Sequence, residues 1–223
     1  MSSVKPPFAV LWDMDGTLID SEHHWLSSER ELALEHGVNW TPEDGLDLVG
    51  MSLYDSSEII KSKLDSDLSP QQIIDRLTEM VTSKLVGTLP WRPGAVELLR
   101  ELKAANIKTA LVTMSLHRMA KRVADALDFT AFDLIIAGDD VNFGKPHPEP
   151  YLRAAAGLGV DPEFCIALED SKTGLTSAEL AGTKAIGIPN VVGIPNEPGR
   201  IIWPTLNGVK LADLQALYKE SND

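Results

Sequence analysis

The chain has 223 residues, 43% hydrophobic and 24% charged, with 20 Lys and Arg against 33 Asp and Glu for a formal net charge of −13. That length suits one large domain or two modest ones, and no apolar run is long enough to span a bilayer. The acidic balance argues against nucleic acid, whose backbone demands clustered cations, and an anionic small substrate would need positive charge supplied locally by a metal ion or a placed lysine.

The opening MSSVKPPFAV lacks the apolar run of a secretory signal. Cys165 is the single cysteine, so no internal disulfide can form, and a cytoplasmic location is expected. FAVLW (8–12) reads as a strand that runs into DMDGT (13–17). Residues 21–89 then show helical periodicity and no convincing strand. The clearest case is 69–86, where Ser69 and Pro70 make a helix start and Ile73, Ile74, Leu77, Met80, Val81 and Leu85 follow at helical spacing.

From WRPGAVELLRELKAAN (91–106) onward, helical patterns alternate with short apolar runs. IKTALVT (107–113), FDLIIAG (132–138), FCIALED (164–170) and TKAIGIP (183–189) read as strands, and their lack of polar alternation suits parallel strands buried on both faces. Between them, 115–127 carries an apolar stripe with Ser115 as a candidate N-cap, and 171–182 starts at Ser171 and ends at Gly182. The pattern predicts an α/β fold: a doubly wound, Rossmann-like parallel sheet with an all-helical insertion after the first strand. The expected domains are an α/β core of residues 1–20 plus 90–223 and a helical cap of residues 21–89.

Sites in such sheets form at the carboxyl ends of the strands. This sequence places Asp13 and Asp15 after the first strand, Thr113, Met114 and Ser115 after the second, Lys145 in the loop after the third, and Glu169 and Asp170 at the end of the fourth. Each has an ordinary explanation alone: a turn former, a helix cap, a solvated lysine. Together at one sheet end they form a set suited to phosphoryl transfer. A carboxylate can attack phosphorus, but two unit charges 4 Å apart repel by about 4 kcal/mol at an effective dielectric near 20. A hard divalent cation removes that penalty, and Mg²⁺ favours carboxylate and phosphate oxygens. Asp13 and Asp170 can supply the carboxylates, Lys145 fixed positive charge, Thr113 a hydrogen bond to phosphate and Asp15 proton transfer.

DMDGT (13–17), TMS (113–115), GKPHP (144–148) and LEDS (168–171) resemble the four ordered motifs of the haloacid dehalogenase superfamily, and the resemblance covers nearly the whole chain. The helical insert is similar to the C1-type cap of one subfamily. The resemblance implies Asp13 as nucleophile, Asp15 as acid/base, and Mg²⁺ held by the Asp13 and Asp170 side chains and the Asp15 backbone carbonyl. It implies phosphate held by Thr113 and Lys145 with the amides of Met14, Asp15 and Met114, and Glu169 orienting the metal waters. The second aspartate, Asp15, speaks against the dehalogenase and phosphonate-cleaving branches.

IDSEHHWL (19–26) is similar to the form in sugar-phosphate phosphatases of the branch, whereas a β-phosphoglucomutase-like mutase carries histidine at the place of Trp25 and an arginine at the place of Leu53. Glu22, His23 and Trp25 are candidate substrate contacts at the start of the cap. The expected protein is a Mg²⁺-dependent phosphatase of small phosphomonoesters, with a phosphosugar mutase or a non-catalytic sensor of phosphorylated ligands as alternatives. Its expected partner is a small phosphorylated metabolite rather than nucleic acid or membrane, and a monomer or weak homo-oligomer is expected.

Overall fold

The computed structural model describes residues 6–218. Residues 1–5 of the opening segment and 219–223 lie outside the described residues. Six parallel strands form one sheet: β1 (Ala9–Trp12), β2 (Lys108–Val112), β3 (Leu134–Ile136), β4 (Cys165–Glu169), β5 (Lys184–Gly187) and β6 (Ile201–Ile202), in the order β3-β2-β1-β4-β5-β6. The chain winds outward from β1 to β3, then returns across β1 to build the other half. The ends of β1 and β4 therefore flank a switch point, where crevices form in open α/β sheets.

Both faces of the sheet are covered, which is why the strands read as unbroken apolar runs. Val10 and Trp12 of β1 join a core with α5 (Ala95–Ala104), α6 (His117–Asp125) and α9 (Leu211–Ala216). Ala9 and Leu11 face the opposite way, into a core with α7 (Glu149–Leu158) and α8 (Lys172–Leu180).

Between β1 and Trp91 the described chain forms α1 (Glu22–Glu35), α2 (Pro42–Leu46), α3 (Leu53–Leu64) and α4 (Pro70–Lys84). α4 begins as its sequence dictates: Ser69 accepts from the Gln72 amide while the Gln72 side chain accepts from the Ser69 amide, with Pro70 at the first position. Its buried face, Ile73, Ile74, Leu77 and Val81, packs against α3 and α1. The two linkers into this segment are bonded to each other. Asp20 N donates to Pro90 O at 2.8 Å and Arg92 N to Leu18 O at 2.9 Å.

Three local expectations shift. β3 is three residues long, because 132, 133, 137 and 138 serve as connectors. β6 pairs with β5 through Ile201–Ile202, a dipeptide too short to stand out as a strand in the sequence. Ser115 does not cap α6, whose N-cap is Leu116, because its hydroxyl is drawn to Asp15. Ser171 caps α8 as expected, accepting from Gly174 N, and Gly182 follows that helix with φ +83°.

Leu98 on α5 is fully buried against the face that holds Trp12 and Leu111. Leu98→Ala should cost about 2–5 kcal/mol, read in urea denaturation as a lowered midpoint with an unchanged slope.

Candidate active site

Register brings the strand-end residues together. Trp12 lies opposite Leu111 on β2 and Leu168 on β4, and Asp13 N donates to Leu168 O at 3.0 Å. The next residues of all three strands meet at one rim. Lys145 reaches the same rim from the loop between β3 and α7, and α1 covers it from above. The chamber encloses about 80 Å³, and Asp13, Asp15, Glu22, Trp25, Thr113, Met114, Lys145 and Asp170 are among the residues that line it. Glu169 lies behind this wall. His23 differs from the expectation: it is exposed and outside the wall, because it falls off the α1 face that carries Glu22, Trp25 and Glu29.

Lys145 is the hub. Its ammonium donates to Asp13 Oδ1 at 2.7 Å and Val112 O at 2.9 Å, and pairs with Glu169 Oε1 at 2.7 Å. The ring of Tyr151 lies 5.3 Å from it, and Tyr151 Oη donates to Glu169 Oε1 at 2.5 Å. Burial alone would lower the lysine pKa, but Asp13 and Glu169 outweigh it and hold the group above its ordinary value. Glu169 thus grips Lys145 from below, and Ser171 Oγ donates to its other oxygen at 3.4 Å. The site needs Gly174 for this, since a methyl there would sit 2.0 Å from the Glu169 carboxylate.

Carboxylates outnumber that single ammonium. Burial raises Asp13 to about 7; Lys145 opposes the rise, and Glu169 and Asp15 add to it. Burial, then Asp13 and Glu169, push Asp170 well above its usual range. Oxygens of Asp13, Glu169 and Asp170 lie within 4.8 Å of one another, and Asp13 Oδ2 is buried without a partner. Gly16, at φ +84°, keeps the approach open, because a methyl on it would meet Asp170 Oδ2 at 1.8 Å. An open carboxylate oxygen among crowded acids is the environment a divalent cation fits, and oxygen-only donors suit a hard ion.

Asp15 is arranged differently. Its Oδ1 accepts from Ser21 Oγ at 2.6 Å and Trp25 Nε1 at 3.0 Å, and its Oδ2 from Ser115 Oγ at 2.7 Å and Thr113 Oγ1 at 3.3 Å. Two donors belong to the segment that starts α1 and two to the loop after β2. Sequence reasoning missed Ser21 and Ser115 as Asp15 partners, Tyr151 under Lys145, and Glu29 in the chamber wall. Only Glu29 left a readable signal: an acid on the buried face of an amphipathic helix.

A protein-family model described as haloacid dehalogenase-like hydrolase matches residues 9–182. Hexitol phosphatase B of Escherichia coli strain K12 is 30% identical over 220 residues, covering 97% of each chain. A phosphorylated carbohydrates phosphatase of Thermotoga maritima is 33% identical over 179 residues, covering 80% of this chain and 83% of its own. The crystal structure of a CbbY variant from Rhodobacter sphaeroides in complex with xylulose-(1,5)-bisphosphate superposes with a TM-score of 0.82 at 29% identity, covering 92% of this chain and 98% of that one.

The buried acids of α1 carry a stability cost with a definite pH sign. Burial raises Glu29 from the ordinary glutamate value of 4.5 to about 8. Between those values the folded state holds the proton and the unfolded state has lost it, so stability falls as pH rises through the window. Glu29→Gln removes that loss. The melting temperature of the variant relative to the parent should therefore rise between pH 5 and pH 8.5; a gap independent of pH would contradict the assignment.

Proposed function

We propose, from the premise that the chain belongs to the haloacid dehalogenase-like hydrolase family, that it is a phosphatase of small phosphomonoesters, sugar phosphates foremost, acting through a phosphoaspartate on Asp13. The observation that carries this reading is the state of Asp13: one oxygen held by Lys145, the other buried and open. Both relatives reported above that carry phosphatase names cover most of this chain.

In the first step Asp13 Oδ2 attacks phosphorus. A bond forms between that oxygen and phosphorus, the ester P–O bond breaks, and Asp15 gives its proton to the departing oxygen. In the second step Asp15 takes a proton from water, whose oxygen attacks the phosphoaspartate, releasing inorganic phosphate and restoring Asp13. Lys145 fixes the attacking carboxylate and offsets its charge, with Glu169 and Tyr151 as positioning residues. Thr113 and the amide of Met114 face the phosphate. A divalent cation, Mg²⁺ by the donor chemistry, would be held by the Asp13 and Asp170 side chains and the Asp15 carbonyl, and would supply the charge neutralisation that lets carboxylate and phosphate approach. Residues 21–89 serve as a cap hinged at the paired linkers near 19–22 and 86–92, closing the chamber against bulk water. Cys165 is free and buried, which suits a reducing cytoplasm.

A phosphosugar mutase must grip two phosphates. Among the described residues lining the chamber Lys145 is the one base, which makes that reading secondary.

Two measurements test the proposal. Asp13→Asn should abolish Mg²⁺-dependent turnover of p-nitrophenyl phosphate while leaving the melting temperature within a few degrees; near-normal turnover would end the nucleophile assignment. Asp15→Asn should slow turnover by about 10²–10⁴-fold with substrate affinity largely kept, whereas a change in affinity alone would contradict proton transfer by Asp15. Chelation by EDTA should silence the parent protein and added Mg²⁺ restore it.

A further inference from the structure

We infer that Asn190, on the loop after β5, is a positioning residue for Asp15: it clasps both linkers of the helical segment to the sheet and so fixes Ser21 and the start of α1, which hold one oxygen of the proposed proton donor. The inference rests on the phosphatase reading and adds to it a residue outside the strand-end motifs.

The linkers are bonded to each other through their backbones, and their side chains meet on a third segment. Arg92, on the second linker, donates from Nη1 to Asn190 Oδ1 at 2.6 Å and from Nη2 to Pro189 O at 3.0 Å. Asn190 Nδ2 donates to Asp20 Oδ1, on the first linker, at 3.1 Å. With Arg92 N bonded to Leu18 O and Asp20 N to Pro90 O, the three side chains close a ring. The chemistry dictates what stands in the middle. A guanidinium only donates and a carboxylate accepts, so the group between them must do both at once. An amide does so; aspartate there would leave Asp20 without its donor, and leucine would strand both neighbours. Arg92 Nε is buried with no partner, a cost that a smaller apolar side chain would not carry. The guanidinium is held in place by its two bonds to residues 189 and 190.

Both sides of the ring lead to the site. Ile188 N donates to Glu169 O at 2.6 Å, so the chain that carries Asn190 runs alongside the end of β4. Ser21 follows Asp20 directly and is the N-cap residue of α1. Its Oγ donates to Asp15 Oδ1 at 2.6 Å, and Trp25, whose amide is bonded to Ser21 O, donates to the same oxygen from Nε1 at 3.0 Å. Ile19 is pinned to the first strand's turn through Gly16 N and Met14 O, which leaves Asp20 as the residue between that anchor and the helix. Without Asn190 the linkers would still bond each other, but the ring would no longer tie them to the loop after β5. They could then shift together and carry Ser21 and Trp25 off Asp15. A misplacement of about 1 Å can cost roughly 10²-fold in rate.

The test is kcat/KM with Mg²⁺ for p-nitrophenyl, phenyl and benzyl phosphate. Their leaving oxygens rise in basicity in that order and so depend increasingly on a proton from Asp15. Asn190→Ala should lower the value for benzyl phosphate by about tenfold more than that for p-nitrophenyl phosphate, with phenyl phosphate between, a part of the roughly 10²–10⁴-fold that general acid–base catalysis contributes. Asn190→Asp, which still accepts from Arg92 but cannot donate to Asp20, supplies a second variant and should show the same graded loss. Asp20→Asn keeps an acceptor for Asn190 and should leave all three values within about threefold of the parent, because the bond is retained. Amide hydrogen exchange over residues 19–26, measured without substrate, should be faster in Asn190→Ala while the melting temperature stays within a few degrees. Loss by the same factor for all three esters, the mark of a merely structural role, or unchanged exchange over 19–26 would each overturn the inference. So would a parent that turns over p-nitrophenyl phosphate and not benzyl phosphate, because there would be no proton transfer to position. Absence of turnover of every ester by the parent overturns the phosphatase reading with it.

Discussion

The structure depends on one ammonium set among carboxylates. Lys145 is buried, and burying a lone charge is prohibitive unless it is paired and hydrogen-bonded. It is paired twice, by Asp13 and Glu169, and capped by the Val112 carbonyl. These bonds draw on the ends of β1, β2 and β4, so the pairing of three strands and the charge balance of the site are one arrangement. Removing Lys145 would leave two buried acids facing each other; removing Glu169 would free the lysine from the position that presents Asp13.

What the lysine does not balance defines the remainder of the site. Asp170 and the second oxygen of Asp13 stay crowded and uncompensated, and their raised proton affinities express burial first and that crowding second. A proton or a divalent cation can relieve it, and each competes with the other, so a cation bound here would release protons. The same imbalance makes the chamber hostile to an approaching dianion until a cation is present. On the proposed function, this answers the puzzle of an acidic protein with an anionic substrate: the positive charge would be concentrated locally, in Lys145 and a cation held by the acidic cluster, rather than spread over the surface.

The sheet was legible because buried parallel strands read as continuous apolar runs, and the site because its polar residues stand directly after those runs. DMDGT, Lys145 and Glu169–Asp170 could be assigned to one rim without coordinates. The pairings within the rim could not. Glu169, to which the resemblance gives the orienting of metal waters, also sits under Lys145, a contact fixed by Tyr151 from α7, eighteen residues away. Ser115 reads as a helix cap because serine commonly caps; a bond to Asp15, a hundred residues earlier, depends on tertiary geometry that no local pattern encodes. Ile201–Ile202 became a strand only because β5 offered an open edge. On α1, Glu22, Trp25 and Glu29 share a face by helical spacing, but that the face looks into the chamber follows from how α1 docks.

Asp15 bonds the start of α1 to the loop after β2. Its Oδ1 is held by Ser21 and Trp25 at the start of α1, and its Oδ2 by Thr113 and Ser115 beyond β2. A carboxyl that must donate a proton cannot keep all of its acceptor sites filled by other donors. On the proposed mechanism, some of these four bonds must exchange for bonds to substrate. The pair from α1 is the pair that can yield by movement of one helix, while Thr113 and Ser115 are anchored to the sheet, Ser115 N being bonded to Thr113 Oγ1 at 3.0 Å. Trp25 then has two contacts that matter: it lines the chamber, and its Nε1 ties Asp15, the proposed proton donor, to the position of α1. Loss of the Trp25 N–H with its ring retained would separate those contacts, because the wall would stay while the tie was cut.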